Sequence, residues 1–125
     1  MRRQNKLKIM YTVYGIPNCD TVKKTLDWLK AHKINYEFHN YKTEGITASK
    51  LKNWCKQKGW ELILNKKSAT WRGLDAAAQS KITNEKAAIA FMTASTSIIK
   101  RPVIENEKGE VVAVGFDVKE YENIF

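Results

Sequence analysis

One cysteine in this sequence, Cys19, lies where a thiol can become a nucleophile. It follows an apolar run at residues 9–14 that predicts a strand, which Gly15 and Pro17 break, and it precedes a helical repeat of apolar residues at 22–29. At the start of a helix, the unpaired N–H groups and the helix dipole favour an anion such as a thiolate. The position therefore predicts a reactive Cys19 with a lowered pKa. A small buried hydrophobe is the alternative interpretation.

Three neighbours of Cys19 are candidates to support its thiolate. Lys23 and Lys24 lie one turn into the predicted helix and add positive charge, although an exposed helix face explains them equally well. Asn18 stands at the start of the same helix and is included with them.

The second cysteine, Cys55, falls on the apolar face of a helix predicted between an N-cap at Thr47 and a stop at Gly59. This pattern favours a core cysteine over a resolving thiol. Two well-separated cysteines form neither a disulfide framework nor a zinc cluster, and the two histidines have no ligand partners at suitable spacing. We therefore expect no metal and a reducing, cytoplasmic location.

The composition bounds the class of protein. The chain has 125 residues, 43% of them hydrophobic and 28% charged, which is typical of one soluble globular domain. No run of about 18 apolar residues occurs, so a transmembrane helix is excluded. The basic N-terminus lacks the apolar region of a secretory signal. We expect no membrane partner.

The net charge of +9 raises the question of nucleic-acid binding. Four positive charges fall within residues 1–8, and a second lysine-rich region spans residues 50–67 with Glu61 as its sole acid. Neither region has the interleaved aromatic residues or the motif of a nucleic-acid reader. A solvated lysine-rich face is therefore favoured over a nucleic-acid surface.

The predicted order of elements is a βαβ unit, a helical block and a ββα unit. The elements are a strand at 8–14, a helix at 18–32, a strand at 36–39, a helical insertion at about 47–95 with Thr83 as an internal N-cap, strands at 98–104 and 110–114, and a last helix from Asp117. Pro102 cannot donate to a ladder, so it must start a strand or lie at a bend. Residues 1–9 are expected to form a basic flexible arm and residues 10–125 a single domain, with Met10 as an alternative start.

This plan, with a cysteine after the first strand and a proline opening the ββα unit, is that of the thioredoxin-like fold, an α/β fold with a mixed sheet. Three segments go further: residues 14–24 (YGIPNCDTVKK), 69–72 (ATWR) and 98–103 (IIKRPV). Together they resemble the arsenate-reductase-like family, the ArsC/Spx superfamily, and within it the YffB branch most. The resemblance covers about residues 10–125 and includes a helical insertion.

The resemblance implies a second catalytic residue. It implies that Pro102 follows a cis peptide bond and faces Cys19, which would deliver Arg101 to the thiolate as its stabiliser or as an oxyanion clamp. A guanidinium suits this role because its planar fork binds an anion through two N–H groups.

The sequence also departs from its relatives. Classical arsenate reductases hold the oxyanion with three arginines; Arg101 matches one, and the other two positions fall near Asn65 and near Gly115–Phe116. Lys66, its neighbour Lys67, or Arg72 could supply anion contacts instead, and nothing in the sequence prefers one. Spx regulators often carry a CxxC switch at this turn, whereas here Val22 takes the fourth place.

The function implied is a glutathione-dependent thiol–disulfide oxidoreductase with a monothiol mechanism through Cys19. Glutathione would be the co-substrate that resolves the mixed disulfide, glutaredoxin a further partner, and no cofactor would be bound. A glutathione- and glutaredoxin-coupled arsenate reductase is the alternative within the same class. An Spx-like regulator that binds RNA polymerase is the alternative of another class.

Overall fold

The computed structural model describes residues 9–125, so the predicted arm lies, apart from Ile9, outside the described residues. The described chain forms two compact units, one of residues 9–40 with 101–125 and the other of residues 41–100. In chain order the elements are β1 (Met10–Gly15), α1 (Asp20–Ala31), β2 (Asn35–Asn40), α2 (Tyr41–Glu44), α3 (Ala48–Lys58), α4 (Trp60–Ile63), α5 (Ala69–Arg72), α6 (Ala76–Ser80), α7 (Glu85–Ala94), a 3-10 turn (Thr96–Ile98), β3 (Val103–Glu105), β4 (Val111–Val114) and α8 (Val118–Ile124).

The first unit is built on a four-stranded mixed sheet with the strand order β2-β1-β3-β4. Strand β2 pairs parallel to β1 over the whole of both strands, as a βαβ crossover through α1 requires. Strand β3 runs antiparallel to β1 and to β4, and a hairpin connects β3 with β4. The βαβ and ββα halves confirm the predicted α/β thioredoxin-like architecture.

The core of this unit packs one face of the sheet against α1 and α8. Its buried cluster consists of Val13, Leu29, Ile104, Ala113 and Tyr121, each at most 2% exposed. Aromatic rings surround the cluster, with Trp28, Phe116 and Phe125 all meeting the Tyr121 ring edge-on. Such edge-to-face contacts add specific geometry to the burial of large apolar surfaces.

The opposite face of the sheet carries a buried polar pair. The Tyr14 hydroxyl donates a 3.0 Å hydrogen bond to Oε1 of Glu105, and both residues are buried. The sequence pattern did not reveal this pair, because Glu105 reads as the solvent-facing end of a strand.

The second unit is helical and larger than the predicted insertion, since its helices begin at Tyr41, which is 1% exposed. Side-chain caps define the helix starts: the oxygens of Thr47, Ser68, Asp75 and Asn84 each accept a bond from the backbone N–H three residues on. Thr47 and Gly59 bound α3 as predicted.

The prediction of Thr83 as an N-cap was wrong by one residue. Asn84 has the extended backbone of an N-cap, and its Oδ1 accepts a 2.9 Å bond from the N–H of Ala87. A short amide side chain caps at least as well as a threonine hydroxyl, so both residues satisfy the sequence rule and only the backbone decides.

The predicted strand at residues 98–104 is broken. Ile98 closes the 3-10 turn and Ile99 forms an isolated bridge to Leu64, while β3 begins only at Val103. The Ile98 carbonyl accepts a bond from the N–H of Asn65 and the Lys100 N–H donates to Ile63, so these backbone groups are already paired within the helical unit. Pro102 then starts the strand, as its missing N–H requires.

Gly15 marks a close approach between the end of β1 and the first turn of α1. A Cβ added to this buried glycine would lie 2.7 Å from Cγ2 of Val22 and 3.7 Å from Cε1 of Phe38. Val22 is 1% exposed and β-branched, so its rotamer in the helix is nearly fixed and it cannot move aside. Only a glycine therefore fits here without displacing α1.

We predict that Gly15→Ala lowers the free energy of unfolding by about 1–3 kcal/mol through this overpacking. The measurement is urea denaturation followed by circular dichroism. In the Gly15→Ala/Val22→Ala double variant the clash is removed, so its cost should be clearly less than the sum of the two single variants. Additive costs would show that Gly15 and Val22 do not constrain each other.

Candidate active site

Cys19 lies at the start of α1, beside the first turn of the helix. Cys19 is the N-cap residue, with extended backbone angles (φ −147°, ψ 120°), and its carbonyl accepts the first intrahelical bond from Lys23 at 2.9 Å. Its thiol is partly exposed, so a small reactant can reach it. The Cys19 side chain makes no cap hydrogen bond, and the backbone N–H groups of Thr21 and Val22 in the first turn stabilise its ionised form.

Opposing effects set the acidity of Cys19. Partial burial raises its pKa, but the backbone N–H of Val22, the guanidinium of Arg101 and the backbone N–H of Thr21 together outweigh burial and lower the pKa below the ordinary thiol value. These groups stabilise the charged form by hydrogen bonds and by opposite charge. The shift has the direction that the helix-start argument predicted.

The sheet register brings Arg101 to Cys19. Val103 pairs with Tyr14, so the start of β3 lies beside the end of β1, where the chain turns toward Cys19. The peptide bond between Arg101 and Pro102 is cis, as the family resemblance implied, and Pro102 is buried. Arg101 itself is partly exposed and contributes both a side-chain hydrogen bond and a Coulomb interaction to Cys19.

The other predicted supporting residues near the turn have weaker claims. Asn18, Lys23 and Lys24 are exposed. The groups that shift the pKa of Cys19 do not include the two lysines. The solvated-face interpretation of Lys23 and Lys24 therefore agrees better with the structure.

The three residues named as anion contacts belong to the helical unit, where each has a local partner. Oδ1 of Asn65 accepts a 3.0 Å bond from the N–H of Lys67, and Nε of Arg72 donates to the carbonyl of Lys67 at 3.1 Å. Nζ of Lys66 lies 5.4 Å from the centre of the Trp71 ring. A contact of Asn65, Lys66 or Arg72 with an anion at Cys19 stays a prediction.

Sequence reasoning missed one buried polar group close to the site, Thr25. It is fully buried on α1, its hydroxyl donates to the Thr21 carbonyl at 2.9 Å, and it lies 3.4 Å from the Tyr121 hydroxyl. The available signal was a polar residue on the apolar face that Val22 and Leu29 define, which requires an internal hydrogen-bond partner.

The second cysteine differs from Cys19 in each relevant property. Cys55 is 4% exposed within α3, which confirms the core prediction. Burial and the nearby Glu85 carboxylate raise its pKa to about 11, so it is a neutral thiol at physiological pH.

Two other kinds of feature are missing from residues 9–125. This part of the chain contains no group of three or more His, Cys, Asp and Glu side chains arranged to hold a metal ion. It also contains no helix with the length and hydropathy needed to cross a membrane.

Comparison with known proteins agrees with this architecture. The model of the ArsC family matches residues 14–124. An uncharacterized protein of Haemophilus influenzae is 40% identical over 116 residues, which are 93% of this chain and 99% of that protein. The solved structure of a YffB protein superposes with a TM-score of 0.84 at 43% identity and covers 91% of this chain and 97% of its own.

A third relative has arsenate reductase in its name. The solution structure of an arsenate reductase (ArsC) related protein from Brucella melitensis has a TM-score of 0.74 at 41% identity, with 91% of this chain and 92% of that chain covered. The family match extends over nearly the whole described chain, and the matched range contains Cys19, Arg101 and Pro102. The chain therefore belongs to the ArsC family.

Proposed function

We propose that this protein is a glutathione-dependent thiol–disulfide oxidoreductase that works through Cys19 alone. The observation that carries the proposal is the environment of the Cys19 sulfur. Two backbone N–H groups and one guanidinium lower its pKa although the residue is partly buried. A partly exposed thiol with a lowered pKa is a nucleophile suited to disulfide exchange.

In the proposed first step, the Cys19 thiolate attacks the glutathione sulfur of a mixed disulfide between glutathione and a substrate thiol. A new S–S bond joins Cys19 to glutathione, the old S–S bond breaks, and the substrate sulfur leaves with the electron pair and takes a proton from water. In the second step, the thiolate of a free glutathione attacks the bound glutathione sulfur. Oxidised glutathione leaves and the Cys19 thiolate is restored.

An external thiol is needed for the second step because the protein offers no suitable resolving thiol. The fourth position of the turn, where a CxxC motif has its second cysteine, holds Val22, which is 1% exposed. Cys55 is buried, and its raised pKa keeps it protonated. Arg101 remains beside Cys19 throughout and stabilises the thiolate as attacking group and as leaving group.

Arsenate reduction is the second candidate, because Arg101 lies beside Cys19 and a relative with 41% identity is named as related to arsenate reductase. The two other positions expected for an oxyanion clamp carry no arginine. They fall near Asn65 and near Gly115–Phe116, where Gly115 has a positive φ of 85° and donates its N–H to the Pro102 carbonyl. A single guanidinium provides less charge and fewer directed bonds for a multiply charged oxyanion.

We predict that oxidised glutathione at neutral pH adds one glutathione to the protein, on Cys19. The Cys19 thiolate displaces one glutathione, whereas the protonated, buried Cys55 does not react. Intact-mass spectrometry measures the adduct, with Cys19→Ser and Cys55→Ala as matched controls. The adduct should be absent in the first control, present in the second, and removed by glutaredoxin with reduced glutathione.

An unmodified wild type, or an adduct that persists in Cys19→Ser, would contradict the monothiol mechanism. In that case the regulatory class of function, in which the protein binds a partner without thiol chemistry, would gain support.

We predict that Arg101→Gln raises the pKa of Cys19, because a positive charge and a hydrogen-bond donor to the thiolate are lost. The midpoint of the alkylation rate of Cys19 against pH should move up by about one pH unit, a roughly tenfold loss of rate well below the pKa. The loss should disappear at high pH, where the thiol ionises in both proteins. Arg101→Lys should fall between them, since an ammonium keeps the charge but lacks the fork.

Lys24→Gln is the matched control for this experiment, because it removes an exposed cation from the same site region. Its midpoint should stay near that of the wild type. A shift in Lys24→Gln as large as that in Arg101→Gln would mean that general charge, not the position of Arg101, sets the acidity of Cys19.

For arsenate we predict no Cys19-dependent turnover with glutathione and glutaredoxin. The measurement is arsenate-dependent consumption of NADPH in an assay coupled through glutathione reductase, with Cys19→Ser as background. Turnover that requires both Cys19 and Arg101 would instead assign the protein to the arsenate reductases.

A further inference from the structure

A chain of hydrogen bonds joins the two segments that form the candidate active site. The N–H of Gly115 donates to the Pro102 carbonyl at 2.8 Å, and the Gly115 carbonyl accepts a 2.5 Å bond from the Tyr121 hydroxyl. The Tyr121 oxygen lies 3.4 Å from the hydroxyl oxygen of Thr25, which donates to the Thr21 carbonyl at 2.9 Å. The chain therefore runs from the segment after Arg101 to the first turn of α1.

Both ends of this chain belong to groups that act on Cys19. Pro102 directly follows Arg101, whose guanidinium stabilises the thiolate, and the backbone N–H of Thr21 contributes to the same stabilisation. A hydroxyl that bonds the carbonyl four residues earlier also influences the local geometry of its helix. A change in the middle of this hydrogen-bond chain would therefore affect both the Arg101 guanidinium and the Thr21 N–H.

The middle of the chain is well fixed. The side chain of Tyr121 is fully buried in the core and held by the surrounding rings. Burial raises the pKa of Tyr121, the hydrogen bond from Thr25 lowers it, and the charge of Glu120 raises it further. The net result is a pKa of about 12. The hydroxyl therefore keeps its proton at physiological pH and remains the donor to Gly115.

The proton count sets the direction of each bond. Tyr121 has one proton, which it gives to the Gly115 carbonyl, so toward Thr25 its oxygen acts as an acceptor. Thr25 has one proton, which the Thr21 carbonyl at 2.9 Å and the Tyr121 oxygen at 3.4 Å must share as a three-centre bond. Without the Tyr121 hydroxyl, the partly exposed Gly115 carbonyl loses the side-chain donor that links it to the core.

We propose that this series of hydrogen bonds, called the strut below, fixes the position of the first turn of α1 relative to the segment carrying Arg101. Tyr121 and Thr25 are then positioning residues for Cys19. The proposal rests on the proposed nucleophilic role of Cys19. It also gives Gly115 a function: close to the position predicted for a clamp arginine, near Gly115–Phe116, the protein has a backbone link between β4, α8 and the site.

The test measures the pH dependence of Cys19 alkylation by iodoacetamide, followed by mass spectrometry on the peptide that contains Cys19. We expect Tyr121→Phe and Thr25→Val each to move the midpoint up by about 0.5 pH unit, which is a roughly threefold loss of rate below the pKa. Thr25→Ser keeps the hydroxyl and should retain the wild-type midpoint. If Tyr121→Phe fails to fold, the comparison of Thr25→Val with Thr25→Ser decides the positioning role of Thr25, and Thr25→Val replaces Tyr121→Phe in the double variant described below.

Two controls separate positioning from general stability. Thr93→Val removes the same kind of helical bond, from a hydroxyl to the carbonyl of Ile89 in α7. Ile104→Val removes one methylene from the core that contains Tyr121 and should destabilise the protein by a comparable amount. Both should leave the Cys19 midpoint unchanged, whereas an equal shift in either control would overturn the positioning role.

A double variant tests whether the strut reaches Arg101. In an Arg101→Gln background, Tyr121→Phe should shift the midpoint by less than half as much as in the wild type, because one side of the site is already lost. Equal shifts in both backgrounds would overturn the strut. A wild-type Cys19 with an ordinary thiol midpoint would contradict the proposed function, while a low wild-type midpoint unaltered in Tyr121→Phe and Thr25→Val would contradict this inference alone.

Discussion

The antiparallel pairing of β3 with the end of β1 is the constraint on which the site depends. It places Val103 opposite Tyr14 and thereby brings Arg101 to the turn that carries Cys19, although 82 positions separate the two in the sequence. The helix start alone offers two amide groups to the sulfur; the pairing adds a guanidinium. Because an anion is stabilised by the sum of such contacts, the acidity of Cys19 is a property of the sheet as much as of the helix.

The turn itself leaves little freedom. Gly15, the last residue of β1, is buried against Val22 of α1, and this close approach sets where α1 can begin. Apolar packing thus determines the direction in which the first-turn N–H groups point. The lowered pKa of Cys19 then follows from geometry that the core imposes.

The single guanidinium has a chemical consequence. A disulfide exchange moves one negative charge from sulfur to sulfur, and one cation with two amides matches that charge. A clamp for a larger oxyanion needs several directed donors, and the sequence predicts no arginine near Asn65 or near Gly115–Phe116 to supply them. At Gly115 the backbone is instead engaged with Pro102 and Tyr121. On the proposed function, a few side chains would thus decide between two chemistries within one fold.

By itself the sequence determined the order of elements, the N-cap at Thr47, the buried Cys55 and the position of Cys19 at a strand–helix turn, because hydrophobic period, caps and breakers are local signals. The family motif added the cis bond before Pro102 and the partnership of Arg101. Local rules failed where two neighbours fit them equally, as at Thr83 and Asn84, and where backbone groups of residues 98–100 found partners distant in sequence. The Tyr14–Glu105 pair and the link from Tyr121 to Thr25 join residues more than 90 positions apart. Only the tertiary structure could decide these contacts, because a hydrogen bond depends on where two atoms meet in space and leaves no periodic trace along the chain.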